Sequence, residues 1–128
     1  MRKEEGFTVI ELVIFIVILV VLAVFFVLQK IDLEATYDDQ QRKTAINAMY
    51  YSLTEIYHPA HGYYPSEINE DSFTAVDPEL LFDPFGVAIF EPDSEFSYQG
   101  LGCDGAGKCQ QFRLTARLEK EDDYVREP

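Results

Sequence analysis

Glu11 is the only charged residue in a long apolar stretch, and its presence calls for a chemical explanation. Residues 12–28 are drawn only from Leu, Val, Ile, Phe and Ala. A carboxylate within a membrane span costs about 2.5–3.5 kcal/mol on insertion scales, which disfavours one that has no role. We expect a cation at the same depth to pair with Glu11, and such a pair between staggered helices would fix their axial register. For Glu11 considered alone, a chance acid near the interface of a plain signal anchor is the alternative.

Cys103 and Cys109 form a second candidate site. They bracket five residues rich in turn formers, between two segments with strand-like sequence. In a domain outside the cytoplasm, two cysteines this close together indicate an oxidised pair. A disulfide there would close a hairpin and stabilise it by about 2–3 kcal/mol. A two-cysteine metal site is the alternative, although the sequence offers no evident further ligands.

Three other patterns lack part of what their chemistry requires. Residues 100–105 match G-x-G-x-x-G and residues 102–108 nearly match a P-loop, but a strand-like segment follows where phosphate binding needs a helix. His58 and His61 have no evident third ligand for zinc. The acidic residues within 77–95 have no ligand-spaced loop for calcium, so solvated charge is favoured over a calcium site. We predict no metal, no cofactor and no enzyme activity.

The apolar stretch is long enough to cross a bilayer. Residues 7–28 exceed the about 20 residues that a transmembrane helix needs, and only a helix satisfies its own backbone in lipid. A signal peptide has an apolar core of about 7–15 residues and then a small-residue cleavage site, which is missing after residue 28. The remaining 100 residues are too few to bury such a helix. Arg2 and Lys3 precede the span, which favours a cytoplasmic N-terminus and an extracytoplasmic C-terminal part.

Residues 29–128 are strongly acidic. They hold 8 Lys and Arg against 20 Asp and Glu, a net charge of −12. Nucleic-acid binding relies on basic clusters, so we predict no direct nucleic-acid partner. The charge is typical of a well-solvated surface.

A helix is predicted to continue from the membrane span into this acidic domain. No Gly or Pro occurs from Phe7 to His58, so we expect one helix over residues 7–57 that ends at Pro59. Its polar stretch 37–43 should be solvated or should contact neighbouring subunits. Further along, an apolar stripe at spacings of three and four predicts the face that packs on the domain core, at Ile46, Met49, Leu53 and Ile56.

A small antiparallel sheet is predicted to cover that stripe. The strand candidates are residues 87–90, 96–99 and 111–119. The last of these alternates apolar and polar residues, as a half-buried strand does. Residues 83–86 suit a β-turn, and residues 121–128 are expected to fray. The predicted fold class is α+β: a long N-terminal helix, transmembrane in its first half (7–28) and amphipathic in its second (29–57), packed on a C-terminal sheet at about 87–119.

Residues 1–12 combine a short charged leader ending in Gly6 with Phe7, Thr8, Glu11 and Leu12, ahead of the apolar span. This order resembles the class III signal of type IV pilins and type II secretion pseudopilins. The resemblance covers residues 1–28, with weaker similarity at 62–66 and 83–86. It implies cleavage after Gly6 by the prepilin peptidase, N-methylation of Phe7, and packing of Glu11 in a filament core. The new α-amine of Phe7 would be the cation that Glu11 requires.

The resemblance implies a structural filament subunit rather than an enzyme. Residues 1–6 would be the leader, 7–28 the membrane and filament-core segment, and 29–128 an extracytoplasmic head. Expected partners are copies of the chain and other pilins, the prepilin peptidase, the inner-membrane assembly platform with its assembly ATPase, and the lipid bilayer before assembly. The chain would cross the inner membrane once and later lie in a filament at the cell surface. A secretion pseudopilin and a monomeric membrane-anchored binding domain stay open as alternatives.

The leader predicts a defined mature N-terminus. The charged leader residues end before Gly6, and Phe7 follows it. The native host should therefore yield protein that begins at Phe7 and carries an added methyl group. Intact-mass measurement of the purified protein checks this. A mass that retains residues 1–6 would contradict the leader assignment and favour a plain anchor.

Overall fold

The computed structural model describes residues 6–128, and the chain divides between Glu34 and Ala35 into an N-terminal unit and a head unit. Helix α1 spans Val9–Tyr51 and passes through residues 20–28 without interruption. By length and composition it belongs to a helix that could cross a membrane, and its most apolar stretch is not buried by any described part of the chain. The structure therefore contains a helix that is long and apolar enough for the predicted membrane span.

The helix continues beyond Pro59, so the prediction that Pro59 ends it is wrong. A π-helical segment, Ser52–Tyr57, follows α1 and leads directly into the short helix α2, His58–His61. Pro59 lies in the first turn of α2, where a missing N–H and a fixed φ are tolerated. The helix ends instead at Gly62, whose φ of 79° is left-handed and whose N–H donates to the His58 carbonyl at 2.7 Å.

The π-helical segment also changes which side chains face the core. Ile46, Met49 and Leu53 are completely buried, as the stripe predicted. Ile56 is 45% exposed, which contradicts the prediction for that residue. A π-helix has more residues per turn than an α-helix, so a residue three positions after Leu53 no longer lies on the same face.

The head unit contains two small antiparallel sheets. Strands β2 (Phe96–Leu101), β4 (Gln111–Ala116) and β5 (Tyr124–Arg126) form the larger, in the order β2-β4-β5. Strands β1 (Tyr64–Pro65) and β3 (Lys108–Cys109) form the smaller. A long helix packed on small antiparallel sheets confirms the α+β class.

Strand β4 behaves as its alternating sequence predicts. Phe112, Leu114 and Ala116 are fully buried, while Gln111 and Arg113 are exposed. These apolar side chains meet the buried face of α1 in one core, whose members are Ala45, Ile46, Met49, Leu53, Tyr64, Phe73, Val76, Leu81, Ile89, Phe96, Cys109, Phe112, Leu114 and Ala116.

The predictions for residues 87–90 and for the C-terminal tail are wrong. Residues 87–90 form no strand and contribute only a single bridge, between Ala88 and Phe82. The tail was expected to fray but supplies β5, which pairs with β4. Contacts with α1 hold it there: the Tyr124 hydroxyl donates to the Asn47 Oδ1 atom at 3.0 Å, and the Arg126 guanidinium lies 4.1 Å from the Tyr50 ring centroid.

The predicted disulfide between Cys103 and Cys109 is present in the loop between β2 and β4. Cys109 also belongs to β3, so the disulfide ties this loop to the chain that follows the helix. A Cβ atom on Gly100 would lie 2.7 Å from the Cys109 Sγ atom, so only glycine fits beside the disulfide. Gly102 has a φ of 63°. These glycines of the G-x-G-x-x-G match are thus explained by packing and backbone geometry.

A buried guanidinium joins α1 to the sheet. The Arg42 side chain is inaccessible to solvent and donates to the carboxylates of Asp39 (2.8 Å), Glu95 (2.8 Å) and Glu119 (3.1 Å). Asp39 is also buried and accepts the backbone N–H groups of Glu119 and Lys120 at 2.9 and 3.0 Å. The expectation that residues 37–43 are solvated or face other subunits is therefore wrong for Asp39 and Arg42. We call these four side chains, Asp39, Arg42, Glu95 and Glu119, the Arg42 cluster.

Hydrogen bonds keep Arg42 and Asp39 ionised despite their burial. Burial by itself lowers the pKa of Arg42, but hydrogen bonds to Glu119, Glu95 and Asp39 raise that pKa above its ordinary value. Burial by itself raises the pKa of Asp39, but the N–H groups of Glu119 and Lys120 and the Arg42 guanidinium together lower it. Both members of the central pair are therefore charged at neutral pH.

Replacing Arg42 should destabilise the head. Arg42→Met keeps an apolar stem but leaves the buried Asp39 carboxylate without its guanidinium, and breaking such a pair typically costs about 3–5 kcal/mol. Urea unfolding followed by near-UV circular dichroism measures the loss. Arg117→Met is the matched control, because Arg117 is exposed and surface changes usually stay within about 0.5 kcal/mol. Equal effects of the two variants would contradict the structural role given to Arg42.

Acid should weaken the head through Asp39. A carboxylate whose pKa is lower in the folded than in the unfolded chain contributes stability above its unfolded pKa, about 3.9 for Asp. That contribution is lost as the pH falls through the lower folded pKa. We therefore expect unfolding free energy to fall below about pH 4 and the Asp39→Asn variant to show a shallower fall. Urea titrations at several pH values measure both slopes, and parallel curves would contradict the assignment.

Candidate functional site at the start of the apolar helix

The predicted cleavage point lies in non-helical chain ahead of α1. Residues 6–8 are non-helical and exposed, and Phe7 is 84% exposed. A Cβ atom on Gly6 would meet nothing within 4 Å. No other part of residues 6–128 therefore blocks the bond between Gly6 and Phe7. The rest of the predicted leader, residues 1–5, lies outside the described residues.

Thr8 and Glu11 form a reciprocal cap at the first turn of α1. The Thr8 Oγ1 atom accepts the Glu11 N–H at 3.3 Å, and the Glu11 Oε2 atom accepts the Thr8 N–H at 3.0 Å. The Thr8 hydroxyl also donates to Glu11 Oε2, at 3.0 Å. This is a capping box, with Thr8 at the N-cap and Glu11 at the third helical position. The spacing T-x-x-E at residues 8–11 is the sequence signature of this cap.

The cap gives Glu11 a partner within its own chain and leaves it capacity for another. Only its Oε2 atom takes part in the hydrogen bonds of the capping box, and Glu11 is exposed. A carboxylate in the first turn also interacts favourably with the positive end of the helix dipole. The Oε1 atom has no hydrogen bond within residues 6–128, so it can accept a cation from a second molecule.

The helix surface that follows Glu11 is apolar on every side. Large apolar side chains from Val9 to Leu28 are at least 50% exposed, from Leu19 at 50% to Val9 at 80%. A helix that is apolar all round needs an apolar environment, either lipid or other apolar helices. The segment can therefore insert in a bilayer or pack among copies of itself.

The histidines do not converge on a ligand. The His61 ring stacks on Tyr57 with centroids 4.1 Å apart, and the His58 ring packs on Tyr64 at 4.6 Å. Within residues 6–128, no group of three or more His, Cys, Asp or Glu side chains is arranged to hold a metal ion. Of the predicted site residues, Gly6, Phe7 and Glu11 lie together at one end of α1, and the cysteine pair lies in the head.

Comparisons with protein-family models, with curated proteins and with solved structures return no match to the chain.

Proposed function

We propose that the chain is a structural subunit of a type IV pilus or pilus-like filament, which polymerises through its N-terminal helix after leader cleavage. One observation carries the proposal: the apolar helix is not covered by other parts of residues 6–128, and it begins with a single carboxylate. The Oε1 atom of that carboxylate accepts no hydrogen bond from residues 6–128 and can receive a partner. The similarity of residues 1–28 to class III signals supports the same function.

In this proposal the prepilin peptidase removes residues 1–6, and Phe7 becomes an N-methylated terminus. The subunit waits in the inner membrane, with residues 7–28 in lipid and its head outside. An assembly platform driven by an ATPase then transfers it to a growing filament, where other pilins replace lipid around the helix. The amine of Phe7 on one subunit binds the open Glu11 oxygen on the next and sets their stagger. A pseudopilin of a type II secretion system would use the same steps in a shorter filament.

The capping box favours a second candidate, a monomeric membrane-anchored binding domain. If the cap fully accounts for Glu11, the carboxylate serves its own helix and no second subunit is required. The two functions differ in whether Glu11 needs its charge. A cap needs only a hydrogen-bond acceptor, which Gln also supplies, whereas a pair with an amine needs the negative charge.

Three variants therefore separate the candidates. For a filament subunit, Glu11→Leu and Glu11→Gln should both reduce assembly severely, because each leaves the neighbouring amine buried without a counter-charge. Thr8→Ala should assemble nearly as well as the parent, since it removes part of the cap, worth about 1 kcal/mol, and keeps the charge. The measurement compares sheared surface filaments with membrane-fraction monomer for each variant.

Cleavage after Gly6 should persist in all three variants and serves as the control for delivery to the membrane. Normal assembly of Glu11→Gln would show that Glu11 acts only as a cap. A parent chain that forms no filament in a host with the assembly machinery would favour the anchored domain.

A further inference from the structure

The charges of the head are segregated along the chain. No Lys or Arg occurs between Lys43 and Lys108, although residues 67–95 alone contain nine acidic residues. Two of these nine, Asp83 and Glu95, are used inside the head. The other seven are exposed, and no ion pair within residues 6–128 neutralises them: Glu67, Glu70, Asp71, Asp77, Glu79, Glu91 and Asp93.

This acidic segment borders an apolar groove: Glu70 lines it, and Asp77, Glu79 and Glu91 are next in sequence to the lining residues Pro78 and Phe90. The groove is an open cavity of about 470 Å³ whose walls include Phe73, Val76, Leu81, Phe82 and Phe90. Phe82 and Phe90 are partly exposed at 49% and 36%. Large exposed aromatic side chains beside a groove are characteristic of binding sites for proteins and peptides.

Local hydrogen bonds stabilise the walls of the groove in the unbound chain. One wall is a 3₁₀ helix, Glu70–Phe73, which Asn69 and Ser72 cap reciprocally. A second 3₁₀ helix, Pro78–Leu81, is capped by Asp77. Such a preformed site loses little conformational entropy on binding.

The buried Asp83 carboxylate fixes the turn that follows the second wall. It accepts the backbone N–H groups of Phe85, Val87 and Glu95 at 2.9–3.0 Å. Gly86 closes the turn with its N–H 2.9 Å from the Asp83 carbonyl, as the sequence of residues 83–86 predicted. Phe85, at the tip of this turn, is 70% exposed.

We propose that this groove binds a basic and apolar protein segment, in which aliphatic or aromatic side chains enter the groove and flanking Lys or Arg residues meet the acidic rim. The occupant follows from charge complementarity, because Glu70 in the lining and the exposed Asp77, Glu79 and Glu91 beside lining residues favour a cationic partner and repel an acidic one. A second copy of this head is disfavoured, since it would bring its own net negative charge to the rim. The lining residues of this groove all belong to the head unit.

A synthetic peptide tests the proposal directly. The peptide has a Leu-Phe-Leu centre flanked on both sides by lysines, and its binding to the full chain in zwitterionic nanodiscs is measured by fluorescence anisotropy. Peptides with glutamates in place of the lysines, or serines in place of the centre, should bind at least about tenfold more weakly, because each lacks one half of the complementarity. Empty nanodiscs give the background.

Variants of the chain locate the binding. The double variant Glu70→Gln, Glu91→Gln should weaken binding about three- to tenfold at low salt, whereas Asp122→Asn, Asp123→Asn, with the same charge change outside the groove, should change it less than about twofold. Phe90→Ala should weaken binding at least about fivefold. Thr74→Arg places a cation on an exposed groove residue, where it repels the lysines of the peptide. It should weaken peptide binding by a similar factor without removing any apolar contact.

Three results would overturn the proposal. The first is no binding by the lysine peptide, and the second is equal weakening in the two acid-removing double variants, which would mean non-specific charge attraction. The third is self-association of the parent chain that Phe90→Ala and Thr74→Arg both abolish, which would assign the groove to a second copy.

Discussion

The head depends on how one buried positive charge is neutralised. The Arg42 guanidinium has no contact with water, and an uncompensated charge in that position would cost several kcal/mol. Its three carboxylate partners come from α1, from the residue before β2 and from the chain after β4, so satisfying Arg42 requires all three to meet. Asp39 extends the constraint by fixing the backbone of Glu119 and Lys120. The cluster thereby determines how the sheet is aligned on the helix, which apolar contacts alone would specify less strictly.

The N-terminal unit faces the opposite physical problem. Its side chains are apolar on all sides and no described part of the chain covers them, so its stability depends on its surroundings. The capping box lowers the cost of the first turn by satisfying backbone donors that lipid cannot satisfy. It also gives the Glu11 carboxylate hydrogen-bond donors within its own chain, while its Oε1 atom accepts none from residues 6–128.

The acidic segment 67–95 combines internal and external uses of the same residue type. Inside the head, Asp83 accepts backbone N–H groups and Glu95 accepts the Arg42 guanidinium. The exposed carboxylates form no ion pair within residues 6–128, and one of them, Glu70, lines an apolar groove. Sequence composition alone treats all nine as one solvated acidic run. Only their distribution between core and rim separates structural acids from those available to a partner.

The sequence by itself determined the features that rest on local chemistry. The uninterrupted apolar run predicted a membrane-length helix, and the close cysteine pair favoured a disulfide over a metal site. Alternation in residues 111–119 predicted a half-buried strand, which forms over Gln111–Ala116. The T-x-x-E spacing at Thr8 and Glu11 was equally local, and its capping role could have been predicted from it. The assembly role of Glu11 stays a prediction, because it concerns a second molecule.

The tertiary structure decided what depends on residues far apart in the chain. Asp39 and Arg42 look solvated in a polar stretch, and they are buried because Glu95 and Glu119 arrive from 53 and 77 residues away from Arg42. The charged tail becomes β5 because α1 offers Asn47 and Tyr50 to hold it. Pro59 lies in the first turn of α2, directly after the π-helical segment, and the helix continues through it. The different pitch of the π-helical segment turns Ile56 away from the buried face. In each case a long-range contact or a change in helical pitch outweighed local propensity, and neither is encoded in the spacing of neighbouring residues.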